Sequence, residues 1–548
     1  MANLLLGPLL RRVDGDQAVI WVQTDRPVQV TVAAAGVTVT SDTFTAFGTH
    51  IGVAVLSGLP VGANPYTVSL DGAPVWPPPE LPPSVVTVRD PADGDATIVF
   101  GSCREATGRT HAARGHDPDV LEALAARLLA GARTGQAALP DLLALIGDQI
   151  YADELSAPTV AWLAEQERHP QAPPRQVVGF AEYVHLYHES WTDPEVRWLL
   201  STVPTVMVFD DHEIIDDWNS SAGWLAAARR EPWWDERITA GLASYWLFQH
   251  LGNLTPAQLE RDPVWTRVRA GGDATAVLTE FARRASTPAG DEPYQWGYTV
   301  DVGRTRLIMM DCRGNRVLDR ARRRMWPQEH WDALARQAAA DCDHLVLACS
   351  LPWLLAPVIH HGEAVIEVLA ARHGGAEKLR QKYDLEHWAA VGDSFDELTA
   401  LIAGVRGPAT VSVLGGDVHH SYVARADVAG ATAQVHQIVC SPLHQSVRGV
   451  MRTLLRLGWW RVLSGPAWLV ARAFGVPRPR VRWRTGRPPY FGTAVATLTH
   501  RGRSADVLIE GAHPGGRLTP VLQHRLADTP TAPTPAPAPA PAPAATGS

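Results

Sequence analysis

Seven residues whose side chains bind metals stand at the ends of short apolar runs. "TIVFGSC" ends in Cys103, and "LLALIGDQIYAD" carries Asp148 and Tyr151. "VMVFDDHE" carries Asp211 and His212, and "VSVLGGDVHHS" carries Asp417 and His419. Cys103 as thiolate and Tyr151 as phenolate, with Asp148 and His419, make an anionic site of mixed sulfur, oxygen and nitrogen donors. Thiolate selects softer metals, whereas phenolate and carboxylate favour a highly charged oxophilic ion; together they suit ferric iron. A second site sharing Asp148 and adding Asp211 and Asp417 is rich in carboxylate oxygen. It matches calcium, magnesium or manganese better than zinc. Two ions bridged by one aspartate, roughly 3.5–4 Å apart, stabilise the attacking and leaving oxygens of a phosphoester displacement. A hydroxide bridging them would be the nucleophile, because both cations lower its pKa.

His212, with Glu213 following, is placed to protonate the leaving oxygen, and a nearby carboxylate would hold its tautomer. Arg104, directly after Cys103, is a candidate for phosphate oxygens, where a forked guanidinium serves best. Singly, each residue has a plainer role: a Gly-Asp turn, a buried small cysteine, a satisfied histidine. Asp216 and Asp217 read as helix-start acids. Four such motifs in order, each after an apolar run, are harder to explain one by one.

The elements that must position these residues are legible as well. Thr97–Phe100, Leu142–Ile146, Val206–Phe209 and Val411–Leu414 read as fully buried strands. Open α/β sheets place their sites at strand C-termini. Residues 1–90 hold short alternating β-branched segments and read as a small all-β sandwich of immunoglobulin or fibronectin type. The Pro-rich "VWPPPELPPS" reads as a stiff connector. From Asp95 strands alternate with helices, giving an α/β catalytic domain over 95–523. Segments 155–200 and 218–285 read as helical insertions forming a cap or rim, and 446–487 as a third. The Pro/Ala tract at 524–548 cannot bury a core and is expected to be disordered.

Composition sets outer limits. The chain has 548 residues, 46% hydrophobic and 19% charged, as in a globular protein. Its net charge of −8 gives no reason to expect nucleic acid as a partner. Five widely spaced cysteines do not make a disulfide framework, which fits a reducing compartment. The N-terminus has no basic region before its apolar stretch, and Arg11-Arg12 follow that stretch instead of preceding it. A cytoplasmic protein without a transmembrane segment is the expectation.

The combination "FGSCR", "GDQIYAD", "FDDHE", "LGGDVHHSY" and "SPLH" resembles the PhoD-like branch (alkaline phosphatase D) of the metallophosphoesterase superfamily. The match runs from residue 96 to about 512, and the N-terminal sandwich resembles the domain such proteins carry ahead of the catalytic one. The resemblance implies a calcineurin-like β-sandwich core flanked by helices (αββα). It implies ferric iron paired with calcium, and phosphomonoesterase or phosphodiesterase activity, with some relatives acting on phospholipids. In that family the Gly-Ser-Cys cysteine, here Cys103, stands where most relatives have an aspartate. The superfamily pattern makes Asp148 the bridge, with Tyr151 and His419 completing the iron site. It sets Asp211 and Asp417 on the second ion and makes His212 the acid. The sequence departs in lacking a twin-arginine signal. It also shows no obvious counterpart of the histidine that many members give their second metal.

Residues 448–487 contain ten arginines and no acid, interleaved with Trp459, Trp460, Trp468 and Trp483. The segment reads first as a helical hairpin packed on the catalytic domain. The alternative is weak contact with an anionic membrane surface or a grip on a polyanionic substrate, which would favour a phospholipid or another large phosphodiester over a small molecule. Asp311 and Arg313 follow a strand and read equally as pocket-lining residues or as members of an internal ion pair; Trp353, also after a strand, is a candidate to wall the site. His360-His361 read as a solvated loop. The rival to the enzyme is a catalytically inactive binding or adaptor protein on a phosphatase fold. A serine- or cysteine-nucleophile hydrolase is disfavoured, because no G-x-S-x-G elbow follows a strand. Oligomeric state is not legible.

Overall fold

The computed structural model describes residues 1–106, 117–136, 138–287, 293–319, 322–372, 377–383, 385–445, 447 and 449–528. Two sheets form the catalytic core. The first is six-stranded, with Ala96–Gly101, Leu142–Ile146 and Thr205–Val208 parallel and the antiparallel strands Ala494–Arg501, Ser504–His513 and Arg517–Ala527 beyond. The second is seven-stranded, with Thr305–Met309, His344–Ala348, Thr410–Gly415 and Gln434–Val439 running parallel at its centre. The sheets face each other across a dry core that includes Ile98, Ala144, Leu307, Val346 and Leu414. Leu142–Ile146 and Thr410–Gly415 are buried along their whole length, the first as its unbroken apolar run predicts and the second with Thr410 and Ser412 taken into the core. Helices cover the outer faces, as in Val120–Thr134, whose N-cap Asp119 accepts from the amides of Leu121 and Glu122.

The N-terminal domain is a second, smaller sandwich with sheets of four and five strands. The Pro-rich stretch is not the connector expected of it. It lies inside this domain, because the next strand, Val85–Val88, pairs with Gly62–Leu70. The two domains are fused and not merely tethered. Arg11, fully buried, donates to the carbonyls of Thr205, Phe248 and Gln249. The insertion helices also bury this junction: Phe180 stacks on Phe47 and Phe248 lies 5.3 Å from Trp21. The last strand continues to Ala527, so residues 524–527 belong to the sheet. The rest of the proposed tail, from 529, lies outside the described residues. His360 and His361 are buried on the helix Pro357–Arg372 and are not a solvated loop. His360 packs on Phe395 and Trp483. Among the described residues, no helix is long and apolar enough to cross a membrane.

Candidate metal centre

Four strand ends converge. After Ala96–Gly101 the chain turns at Ser102-Cys103, and the Cys103 amide donates to the Gly147 carbonyl of the next loop at 3.1 Å. After Thr410–Gly415 the chain passes so close to this turn that a Cβ on Gly416 would lie 2.2 Å from Ser102 Oγ. Gly147 is pressed equally against Asp210 and Ser350. Only glycine fits such approaches. Cys103, Asp148, Asp417 and His419 all have left-handed backbones, with φ of 58°, 51°, 60° and 49°. Non-glycine residues adopt this region at a cost and persist in it where the surroundings over-determine them. Four of the expected metal ligands are therefore held by strained loops.

Glu213 straps two of the loops together. Its carboxylate accepts from the amides of Asp148, Gln149 and Asp210 and from Gln249 Nε2. Burial pushes its pKa up to about 7 despite these donors. Asp148 is buried at the centre, 3.4 Å from the Tyr151 hydroxyl. Burial raises the Cys103 thiol well above its ordinary range, and the neighbouring Asp148 and Asp417 carboxylates raise it further. Tyr151 is raised by burial, then by Asp148 and Cys103. These shifts place Cys103, Asp148 and Tyr151 within one electrostatic cluster in which burial and neighbouring carboxylates disfavour their charged forms. A bound cation reverses that preference and deprotonates thiol and phenol.

The donor set fits a cation on a further observation. Asp148 Oδ1 and Asp210 Oδ2 are buried and accept no hydrogen bond, Asp211 Oδ1 is buried 3.2 Å from the Arg313 guanidinium, and the three carboxylates have oxygens within 4.8 Å of one another. Buried anionic oxygens without partners are costly unless a cation meets them. Glu386, His387 and Asp417 form a second group of the same kind. His387 is the histidine the sequence did not disclose: its Nε2 lies 3.1 Å from Asp417 Oδ2, and its Nδ1 lies 3.3 Å from Glu363 Oε1. It lies 30 residues before Asp417, outside any motif, so no local signal could have paired them. His419 follows Asp417 by two residues and is half-buried in the same loop.

His212 meets the geometric requirement for an acid. Its Nδ1 is 2.8 Å from Asp153 Oδ1, and Tyr151 lies against its ring at 4.5 Å. Burial alone would lower its pKa, but the Asp153 carboxylate, then Asp211 and Asp148, outweigh this and hold it well above the ordinary value. Asp153 is the final residue of the quoted "GDQIYAD" run.

Several expectations are corrected. Arg104 does not face the site. Its guanidinium is buried against Asp119 at 2.8 Å and the Ser190 carbonyl at 2.5 Å, tying the Cys103 turn to two helices. Arg313, which sequence left undecided, is fully buried among four acids: it pairs with Asp210 and Glu386, lies 3.2 Å from Asp211 and 3.7 Å from Asp417. Asp311 caps the amides of Arg313 and Gly314 and is structural. Trp353 is buried beside Phe395, in the core behind the second sheet. Asp216 and Asp217 do not start a helix; their amides donate to Asp153 and Asp211.

Residues 130–454, more than half of the chain, match the family model described as PhoD-like phosphatase. Residues 1–88 match a domain of unknown function, DUF7800. Among solved structures, that of PhoD superposes with a TM-score of 0.60 at 14% identity, covering 96% of this chain and 92% of that one. A purple acid phosphatase, PPD1 from yellow lupin (Lupinus luteus) seeds, superposes with a TM-score of 0.50 at 11% identity, covering 95% of this chain and 74% of that one. These likenesses show the fold, a metallophosphoesterase-type sandwich behind an all-β domain. No curated protein sequence matches the chain.

Proposed function

The chain belongs to the PhoD-like phosphatase family, and from that premise we propose a metal-dependent hydrolase of phosphomonoesters or phosphodiesters. Cys103, Asp148, Tyr151 and His419 would hold ferric iron. Asp148, Asp211 and Asp417, with His387 as an added nitrogen donor, would hold calcium, or magnesium or manganese in its place. The two unpartnered buried oxygens, Asp148 Oδ1 and Asp210 Oδ2, clustered with the Asp211 carboxylate, carry this reading. When bound, the two ions supply Lewis-acid polarisation of the phosphoryl group and activation of water.

The chain's own residues do the rest. His212 keeps a proton on Nε2 for the leaving oxygen, since Asp153 engages Nδ1 and favours the charged ring. Tyr151 limits rotation of that ring through their contact. Arg313 offsets the charge of Asp210, Asp211, Asp417 and Glu386 and keeps them from repelling one another. Small-molecule and lipid phosphoesters are the substrate classes in view.

The test is elemental analysis of protein purified without chelator, beside Cys103→Ala. Hydrolysis of p-nitrophenyl phosphate and bis-p-nitrophenyl phosphate is measured on the same samples. Iron near one atom per chain is expected, lost together with activity in the variant. Protein that is metal-free and inactive, and stays so after iron and calcium are supplied, would sink the enzyme and favour the adaptor.

A further inference from the structure

The expectation that the arginine-rich segment packs away its aromatic residues holds for only one side of it. Gly449–Gly458 and Arg461–Ala473 are two helices joined at Trp459-Trp460. One side is seated on the catalytic domain. Trp459 lies 4.7 Å from Tyr422, Gly458 abuts Ala356 and Ile359, and Trp483 Nε1 donates to the Leu355 carbonyl. The other side is apolar and in solvent. Met451 and Leu454 project from the first helix at 56% and 54% exposure, followed by Trp460 at 56%. Val462, Leu463, Leu469, Val470 and Phe474 project from the second helix and its C-cap. Within each helix their spacing follows helical periodicity, so each helix turns an apolar stripe to solvent. Among the described residues, eight of the twelve exposed large apolar side chains fall between 451 and 474. A concentration of this kind marks an interaction surface, whereas single exposed apolar residues do not.

Charge identifies the occupant. Residues 448–487 carry ten arginines and no acid, a +10 block; the chain's net −8 therefore leaves −18 elsewhere. Arg472 and Arg478 flank Trp468, with guanidinium carbons 5.9 and 5.7 Å from its ring. A cavity of about 300 Å³ beside the stripes is lined by Trp468, Arg478, Arg482 and Trp483. Aliphatic side chains with tryptophan and arginine at their border suit the boundary between lipid headgroups and acyl chains. A second copy docking by the same face would set the two arginine blocks against each other. Contacts also lead from this face to the metal centre. The helix Pro357–Arg372, which adjoins the cavity through His361, carries Glu363, and Glu363 touches His387. Arg456 lies over Phe491, which stacks on His420, the neighbour of His419.

We propose that the helical pair Gly449–Ala473 is a docking surface for an anionic lipid bilayer, lying in the interface without crossing it. Docking stands on these residues and does not depend on the hydrolytic reading. The test is sedimentation of the full chain with vesicles of phosphatidylcholine alone or mixed with phosphatidylglycerol. Leu469→Ser/Val470→Ser and Arg472→Gln/Arg478→Gln are compared with the parent, with melting curves to confirm folding. Sedimentation with the mixed vesicles, suppressed by salt, is expected. The apolar pair should weaken it more than tenfold, and the arginine pair roughly fivefold per residue removed. Hydrolysis of soluble p-nitrophenyl phosphate should be unchanged in all variants, which separates loss of docking from loss of catalysis. Failure to sediment with mixed vesicles, or equal sedimentation by folded variants, overturns the proposal. So does a concentration-dependent dimer that the apolar pair abolishes, which would assign the face to a second copy.

Discussion

At the scale of single residues, the centre depends on how each ligand is held as much as on which ligands are present. Asp153 illustrates this. It lies within the "GDQIYAD" run, yet it acts by touching His212, 59 residues away. Asp153→Asn keeps the size and removes the charge that sustains the His212 proton. We predict a kcat loss of about 10²-fold on alkyl phosphates, whose leaving group needs the proton, and a smaller loss on p-nitrophenyl phosphate. Asp153 holds the His212 pKa up, so its removal lowers that pKa. The alkaline fall in rate should then begin at lower pH in the variant, as a pH–rate profile of both proteins would read. A profile that does not move would mean Asp153 only supports the loop. Cys103 shows the converse: alone it is a buried thiol disfavoured as thiolate, and only a cation held among its neighbours would favour the thiolate.

At the scale of elements, strand ends and the loops after them carry the site because parallel strands deliver their C-termini to one edge. Ala96–Gly101, Leu142–Ile146 and Thr205–Val208 do so within one sheet, and Thr410–Gly415 does so from the other. Gly416 lets the two sheets meet. Gly416→Ala would put a methyl 2.2 Å from Ser102 Oγ and 3.2 Å from the Ile146 carbonyl. We predict that it separates the Cys103 and Asp417 loops. Stability should fall by about 1–3 kcal/mol, and bound metal should be lost more completely than fold. Metal analysis beside a denaturant titration checks this; a variant retaining both the metal and the activity of the parent would show that the loops have slack. The four buried strands were legible because each is a short, mostly apolar run rich in β-branched or aliphatic residues, with Thr97 and Ser412 as the polar exceptions. The helix Pro357–Arg372 was missed because two histidines and a glycine interrupt its apolar pattern.

At the scale of the whole molecule, one face of the N-terminal sandwich, the insertion helices and the outer face of the first catalytic sheet share one core. His250 lies in it, surrounded by the rings of Tyr245, Tyr294, Trp296 and Tyr298 at 5.1–6.4 Å. Burial, with Arg11 nearby, pushes its pKa down to about 3. The unfolded chain takes up a proton below about pH 6.5, but the folded chain refuses it until about pH 3. Stability is therefore lost as pH falls through that window, by about 1.4 kcal/mol per pH unit for this residue. His250→Phe should narrow the difference in melting temperature between about pH 7.5 and about pH 5. An unchanged difference would assign acid lability to other groups.

The amino-acid sequence by itself determined the strands, the order of the metal-binding motifs and the family they resemble. Those features are local: a buried strand and the ligand that follows it lie within a dozen residues of each other. Tertiary structure alone decided the partners. Arg104 turned inward to Asp119, Arg313 entered the acid cluster, and His387 came to Asp417 from outside every motif. It also decided that the arginine-rich helices keep apolar stripes in solvent. Side-chain type states what a residue can bind; only the packing of distant segments settles which charges face each other and which apolar faces stay uncovered.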